Sequence, residues 1–263
     1  MAQRLDWISR QPANWVHWEP MRGSLQAHAL LTQRYPRAGC WLIEADARRM
    51  QAVRQAVARP WWRLSGWRSA PQVVREAAPD AGAQMLWANM ALHMSSDPSA
   101  LLATWHRALA VDGFLMFSCF GPDTLRELRG LYQTMGWAVP AHEFTDMHDW
   151  GDMLLQTGFT EPVMDMERIE LTFETPQRLL QELRELGRNL HVGRFAGLRG
   201  RRWHERLLHA LGALASPEQG GRLKLTFEII YGHAFKAVPR MAAQTTVSLE
   251  EMKAALLRQR KKI

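Results

Sequence analysis

One stretch constrains the fold more than any other: Asp112 to Arg129, Asp-Gly-Phe-Leu-Met-Phe-Ser-Cys-Phe-Gly-Pro-Asp-Thr-Leu-Arg-Glu-Leu-Arg. It opens on a turn at Asp112-Gly113, runs apolar through Phe120, breaks at Gly121-Pro122 and restarts as a helix with Asp123 or Thr124 as N-cap. An apolar run without alternation, bounded by turn signals, is the pattern of a strand buried on both faces of a parallel sheet. Ahead of it, Asp97 caps a helix with Pro98 at its first position, ending near Leu109. Helix, buried strand and helix form one unit of a wound α/β sheet. Ligands of such sheets sit beyond the carboxyl ends of the strands, so Ser118 to Thr124 are expected to face a pocket.

The remaining chain extends this pattern in both directions. Residues 4–11 read as a helical lead-in, Asn14–Trp18 as a first strand, Glu19 to Gly23 as a turn, and Ser24 to Arg34 as a helix. Cys40–Ile43 follows as a second strand ending at Glu44, then a helix over 46–58. A short strand is placed at Arg59–Leu64, a helical turn at Gln72–Ala78, and a strand at Met85–Ala88 leading to Asn89. Helices are expected at 125–135 and 146–157, the latter stopped by Gly158, and an edge strand at 162–172. Two helices, 175–189 and 200–214, precede a last strand at 223–235, and Ser248 with Glu251 forms a capping box for a C-terminal helix. The expected organisation is one domain over 1–240, with a helical insertion at about 176–214, and a helical, basic tail over 241–263.

At 263 residues the chain is long enough for a full core. No window approaches the roughly 20 apolar residues of a membrane span. The start, Met-Ala-Gln-Arg-Leu-Asp-Trp, has no signal-peptide core, so the expected location is the cytoplasm. Cys40 and Cys119 lie in apolar runs without zinc or redox spacing and read as buried thiols. The net charge of +7 suits nucleic acid, anionic lipid or an acidic protein, or no dedicated partner at all.

Five segments carry a resemblance: Met85-Leu-Trp-Ala-Asn-Met-Ala-Leu-His, Phe117 to Leu128, His142 to Asp152, Pro162-Val-Met-Asp-Met-Glu, and Phe227 to Lys236. Together they resemble the malonyl-[acyl-carrier-protein] O-methyltransferases of biotin synthesis, strongly over 83–236 and weakly over 4–60. The resemblance implies a seven-stranded Rossmann-like methyltransferase sheet with helices on both faces. It implies S-adenosyl-L-methionine at the ends of the first, second and fourth strands, and an acyl site walled by the inserted helices. The reaction it implies moves a methyl group onto the free carboxylate of a malonyl thioester. Such a carboxylate is already ionised and the sulfonium already activated, so no acid–base dyad is required.

By that resemblance, the cofactor-binding positions are His17, Glu19, Gly23, Glu44, Asn89 and His93. The family's first-strand acid and Gly-x-Gly-x-Gly turn fall on His17 to Gly23, where only the last glycine remains. Glu44 stands where the ribose-binding acid belongs, against the plainer reading of a solvated strand-end acid. No acid lies between Trp61 and Arg75 for the adenine, and the chain begins just before the first strand, where the family carries a lid. For His93 the plainer reading, a satisfied, half-buried structural histidine, stands slightly ahead.

Substrate contacts fall on Ser118 and Asp123, each with a competing turn role, and on Arg199, Arg201 and Arg202. The arginines suit an acidic acyl carrier protein and its phosphopantetheine phosphate, level with a plain solvated face. Nucleic acid stands third, since only Phe195 and Trp203 interleave with them. His142, Asp146, His148 and Asp149 read as a capped helix start rather than a metal site. Three functions stay open: malonyl-carrier methyl transfer, a non-catalytic homologue that binds a carrier or another partner, and methyl transfer to another small acid.

Overall fold

The computed structural model of the protein describes residues 1–58, 70–189, 191–215 and 220–238. The short strand placed at 59–64 and the C-terminal helix lie largely or wholly outside these. Seven strands form one sheet in the order β3-β2-β1-β4-β5-β7-β6. They are β1 (Asn14–Trp18), β2 (Gly39–Ile43), β3 (Gln72–Arg75), β4 (Ala83–Asn89), β5 (Leu109–Phe120), β6 (Phe159–Phe173) and β7 (Leu223–Lys236). The first five run parallel, and β7 is antiparallel to both β5 and β6. This is the wound, two-faced sheet that the apolar run of β5 implies.

Burial on β5 shows why that run does not alternate. Phe114 and Met116 enter a core with Leu5, Trp15, Leu31, Leu42 and Met85, while Leu115, Phe117 and Cys119 enter one with Trp105, Trp150, Leu154 and Phe159. The first layer is covered by α2 (Leu25–Arg34) and α3 (Ala47–Val57), the second by α4 (Pro98–Ala108) and α6 (Met147–Thr157). A third cluster joins Leu128, Leu179, Leu207, Leu211 and Phe227, where α5 (Arg126–Thr134), α7 (Pro176–Glu185) and α8 (Arg201–Gly212) meet β7. Cys40 and Cys119 are both buried and unpaired.

Several helix ends follow their sequence signals. The Asp97 carboxylate accepts the Ala100 N–H at 2.9 Å, with Pro98 in the first turn. Asp146 accepts the His148 N–H at 2.8 Å, and Gly158 ends α6 in the left-handed region at φ 101°. Both are side-chain and glycine caps of the ordinary kind.

Four expectations are corrected. Residues 72–75 are β3, paired with β2, rather than a helical turn; ladder pairing overrides local propensity there. The lead-in is a 3-10 turn over Ala2–Trp7. Asp112 does not begin the strand: β5 starts at Leu109, and Asp112 (φ 63°) lies where the pairing with β4 shifts register. Neither Asp123 nor Thr124 caps α5, whose N-cap is Leu125 at φ 59°. The Asp123 carboxylate pairs with Arg168 on β6 instead, and the main chain of Asp123 and the side chain of Thr124 go to β7. The Asp123 N–H donates to Glu228 Oε2 at 2.8 Å, and the Thr124 hydroxyl donates to the Glu228 carbonyl at 3.1 Å.

Gly232 on β7 pairs with Phe117, and a Cβ there would lie 2.3 Å from the Phe117 ring. The glycine is what lets that ring fill the sheet face. Gly232→Ala is expected to destabilise the fold by about 1–3 kcal/mol through overpacking. A urea titration should show a lower midpoint with an unchanged m-value.

Candidate functional site

The carboxyl ends of β1, β2, β4 and β5 lie side by side, and the candidate residues fall into two groups there. On the β1/β2 side, a short helix α1 (Pro20–Gly23) replaces the expected open turn. It is entered through Glu19 at φ 46° and left through Ser24 at φ 80°, both in the left-handed region. The Met21 N–H donates to Glu44 Oε1 at 2.9 Å, and the Arg22 and Gly23 N–H groups donate to the Glu19 carbonyl. The Glu19 N–H goes to the Ile43 carbonyl at 2.9 Å, and Pro20 has none to give. Every main-chain donor from Glu19 to Gly23 is therefore spent inside the protein.

Glu44 is fully buried beneath this turn. Burial pushes its carboxyl up, opposed by the Met21 N–H and the Arg49 guanidinium. Arg49 Nε approaches Oε2 at 3.3 Å, yet Oε2 makes no hydrogen bond. Glu19 pairs with Arg22 at 3.3 Å and with Arg49 at 3.9 Å, so four charged side chains interlock over the end of β2. His17 faces away from them: it is buried, stacks on Trp15 and His28, and its Nδ1 lies 3.4 Å from that of His28. Burial and the neighbouring His28 lower its pKa to about 3.

Gly23 is clamped to β4. Its carbonyl accepts from Asn89 Nδ2 at 2.7 Å, and a Cβ on Gly23 would stand 3.0 Å from the Asn89 carbonyl. Asn89 Oδ1 in turn accepts the hydroxyl of Ser118 at 2.6 Å. Ser118 is buried and also meets the Met90 N–H at 3.2 Å, so Asn89 and Ser118 lock the ends of β4 and β5 together. Asp123 lies beyond them, paired with Arg168 at 2.8 Å and Arg126 at 3.5 Å.

With β3 placed at 72–75, the first acid after the third strand is Glu76, which is exposed. The signal was missed because the strand was read as a helical turn.

On the β4/β5 side a cavity of about 290 Å³ opens between the strand ends, α5 and α7. His93 and Phe120 line it at the sheet, with Leu128, Leu180, Leu183 and Phe227 as apolar walls. His93 packs against Phe120 and Phe144, and burial, with Arg22 and His142, lowers its pKa to about 4. Of the six cofactor candidates, His93 alone lines this cavity. Sequence reasoning missed Tyr132, which enters it from α5 and carries no motif of its own, whereas Arg184, which enters from α7, opens the basic segment 184–206 that the sequence singles out.

The three arginines lie on and before α8. Arg199 stacks on Trp203 at 3.9 Å and approaches Tyr132 at 5.9 Å, which connects it to the cavity wall. Arg201 pairs with Glu205 at 3.0 Å, and Arg202 lines a separate groove with Leu131 and Met135. No acidic residue occurs from 186 to 204, and Val192, Phe195 and Leu198 are exposed among the arginines. Among the described residues no helix is long and apolar enough to cross a membrane.

S-adenosyl-L-methionine, expected from the resemblance, meets a divided site. Glu44, with one oxygen lacking a hydrogen-bond partner, fits a ribose hydroxyl. The 17–23 segment as folded does not fit, because its main-chain donors are spent inside the protein.

Comparison with known proteins gives consistent relatives. A malonyl-[acyl-carrier protein] O-methyltransferase of Gallionella capsiferriformans is 37% identical over 247 residues, covering 92% of this chain and 83% of the relative. One of the same name from Laribacter hongkongensis is 38% identical over 247 residues, covering 91% and 81%. No family model matches. Among solved structures, a Bacillus halodurans protein assigned to the methyltransferases superposes with a TM-score of 0.54 at 14% identity, covering 90% of this chain and 99% of that one. The YcgJ protein of Bacillus subtilis gives 0.54 at 13% identity, covering 90% and 97%. These two share the fold.

The two buried histidines make stability depend on pH. Both would take up a proton near 6.5 when unfolded, but in the folded chain only at about 3 (His17) and about 4 (His93). The unfolded state therefore binds more protons below pH 6.5, and their contribution is lost as pH falls from there. His17→Gln and His93→Gln are each expected to remove about one proton from the slope of stability against pH between 6 and 4, read from urea midpoints at each pH.

Proposed function

The chain belongs to the malonyl-[acyl-carrier protein] O-methyltransferase family, and from that premise we propose that it methylates the free carboxylate of a carrier-bound malonyl group in biotin synthesis. The donor is S-adenosyl-L-methionine, which supplies a methyl group already activated on a sulfonium. The observation that carries the reading is the cavity at the ends of β4 and β5, walled by the helices between β6 and β7. The acceptor carboxylate is ionised at neutral pH, so the protein need only exclude water and align it. Phe120, Phe144 and Leu128 exclude water, and the Asn89–Ser118 bond fixes the strand ends against which it is aligned. Glu44 is the residue that would hold the donor's ribose.

The acid-free segment 186–204, beside the cavity, is the surface for an acidic carrier protein. A substrate held on a soluble carrier puts the reaction in the cytoplasm.

A second reading is favoured by one observation, the turn at 19–23 whose main-chain donors are all satisfied within the protein. In it, the chain engages the acyl carrier protein without transferring a methyl group.

Thermal melting with S-adenosyl-L-methionine separates the two. A cofactor at about a hundred times its Kd stabilises by about 2.7 kcal/mol, a rise of roughly 5–10 °C for a chain of this size. A flat melting curve to millimolar cofactor would sink methyl transfer and leave carrier binding. In that event His17→Asp, Glu19→Gly and Met21→Gly combined should restore a shift, read by calorimetry.

Reversing Arg199, Arg201 and Arg202 to Glu is expected to weaken carrier-protein binding on the order of tenfold at low salt. The loss should shrink as salt is added. Unchanged affinity would remove this surface from the reading.

A further inference from the structure

A malonyl carboxylate that enters the cavity at the ends of β4 and β5 leaves water behind and needs a donor in its place. Most polar groups of the lining are already engaged. The Thr124 hydroxyl donates to the Glu228 carbonyl and accepts the Glu228 N–H, both at 3.1 Å. The Asn189 side chain donates to the Val139 carbonyl at 2.7 Å and accepts the His191 N–H at 3.0 Å. The Tyr132 hydroxyl meets Arg199. Arg184 and Arg188 are exposed at the edge, where water competes for any anion.

His93 differs from all of these. It sits in a 3-10 turn, Leu92–Met94, just after β4. Its Nδ1 accepts the Phe120 N–H at 3.4 Å, and its ring packs against Phe120 at 4.7 Å and Phe144 at 5.8 Å. Burial, with Arg22 and His142, leaves that ring uncharged at neutral pH. With Nδ1 accepting, the single ring proton is on Nε2, which makes no hydrogen bond among the described residues. Arg22 belongs to the turn after β1, so His93 stands where the two halves of the site meet. His142 also lines the cavity, but it packs on His191 at 6.4 Å and has no hydrogen bond among the described residues to fix its ring. A neutral N–H replaces the lost water while leaving the negative charge on the carboxylate, which a buried cation would neutralise.

We infer that the Nε2–H of His93 holds the free carboxylate of the malonyl group, and that His93 thereby selects a malonyl over an acetyl thioester. The inference rests on the proposal that this cavity takes the malonyl acceptor. It moves His93 from the donor, where the resemblance puts it, to the acceptor.

Calorimetric titration of the full chain with malonyl- and acetyl-loaded carrier protein tests it. The unaltered protein is expected to bind the malonyl form about tenfold more tightly or better. His93→Leu should bring the two forms to within about twofold by weakening the malonyl form alone. His93→Gln, whose amide can donate from nearly the position of Nε2, should keep most of the preference. Equal weakening of both forms in His93→Leu would mark a structural role and overturn the inference. A preference that survives in His93→Leu, or that is lost instead in His142→Leu, would overturn it and leave the acceptor reading of the cavity standing. Failure of the unaltered protein to bind or to prefer the malonyl form would overturn that reading and the inference with it. Should His93→Leu not fold, His93→Asn, an amide one methylene shorter, should lose the preference that His93→Gln keeps; equal ratios in those two would overturn the inference.

Discussion

The architecture depends on β5 being buried on both faces while bonded to a parallel neighbour on one side and an antiparallel one on the other. Phe114 and Met116 fill one layer, Leu115 and Phe117 the other, and β7 can approach only because Gly232 leaves room for the Phe117 ring. The same two strands build the floor of the cavity. As β5 ends, Gly121 passes so close to Glu228 that a Cβ would stand 2.6 Å from its carboxylate. The main chain of 121–125 is then stitched to β7 through Glu228, Thr226 and Thr124. Strand packing and cavity geometry are thus one constraint.

The two halves of the site have diverged in character. On the β4/β5 side, largely apolar walls line the cavity, and Arg184 and Arg188 stand exposed at its edge. On the β1/β2 side, Glu19, Arg22, Glu44 and Arg49 neutralise one another over the end of β2, and main-chain donors point inward. A carboxylate as buried as that of Glu44 needs charged or hydrogen-bonding company. Here the turn supplies part of it. The arrangement is self-consistent without a ligand, which a glycine-lined turn would not be.

Much of this was legible in residues. β1 and the caps at Asp97, Asp146 and Gly158 fall where pattern and cap chemistry put them, and the edge position of β6 follows from its alternation. The failures share a cause: tertiary partners outbid local signals. Asp123 and Thr124 look like N-caps, but Arg168 on β6 claims the Asp123 carboxylate and Glu228 on β7 claims the Thr124 hydroxyl from 104 residues away. Residues 72–75 have a helical look until β2 offers a ladder, and with that misreading Glu76 disappeared from view. The cavity was least visible of all. Tyr132, Leu183 and Phe227 come from three separate elements, and no spacing in the chain announces that they converge.

The backbone at the first turn is strained at both of its ends. Glu19 and Ser24 hold positive φ angles of 46° and 80°, a conformation that glycine adopts freely and that costs other residues of order 1–2 kcal/mol. Of the two, only Glu19 falls on a position of the family's glycine motif, and beyond it the chain closes into a helical turn instead of an open loop. The strain at both ends is held in place by the bonds of that turn to Ile43, Glu44 and Asn89. A corner fastened this way resists reopening, because each bond that shuts it also holds the strained backbone.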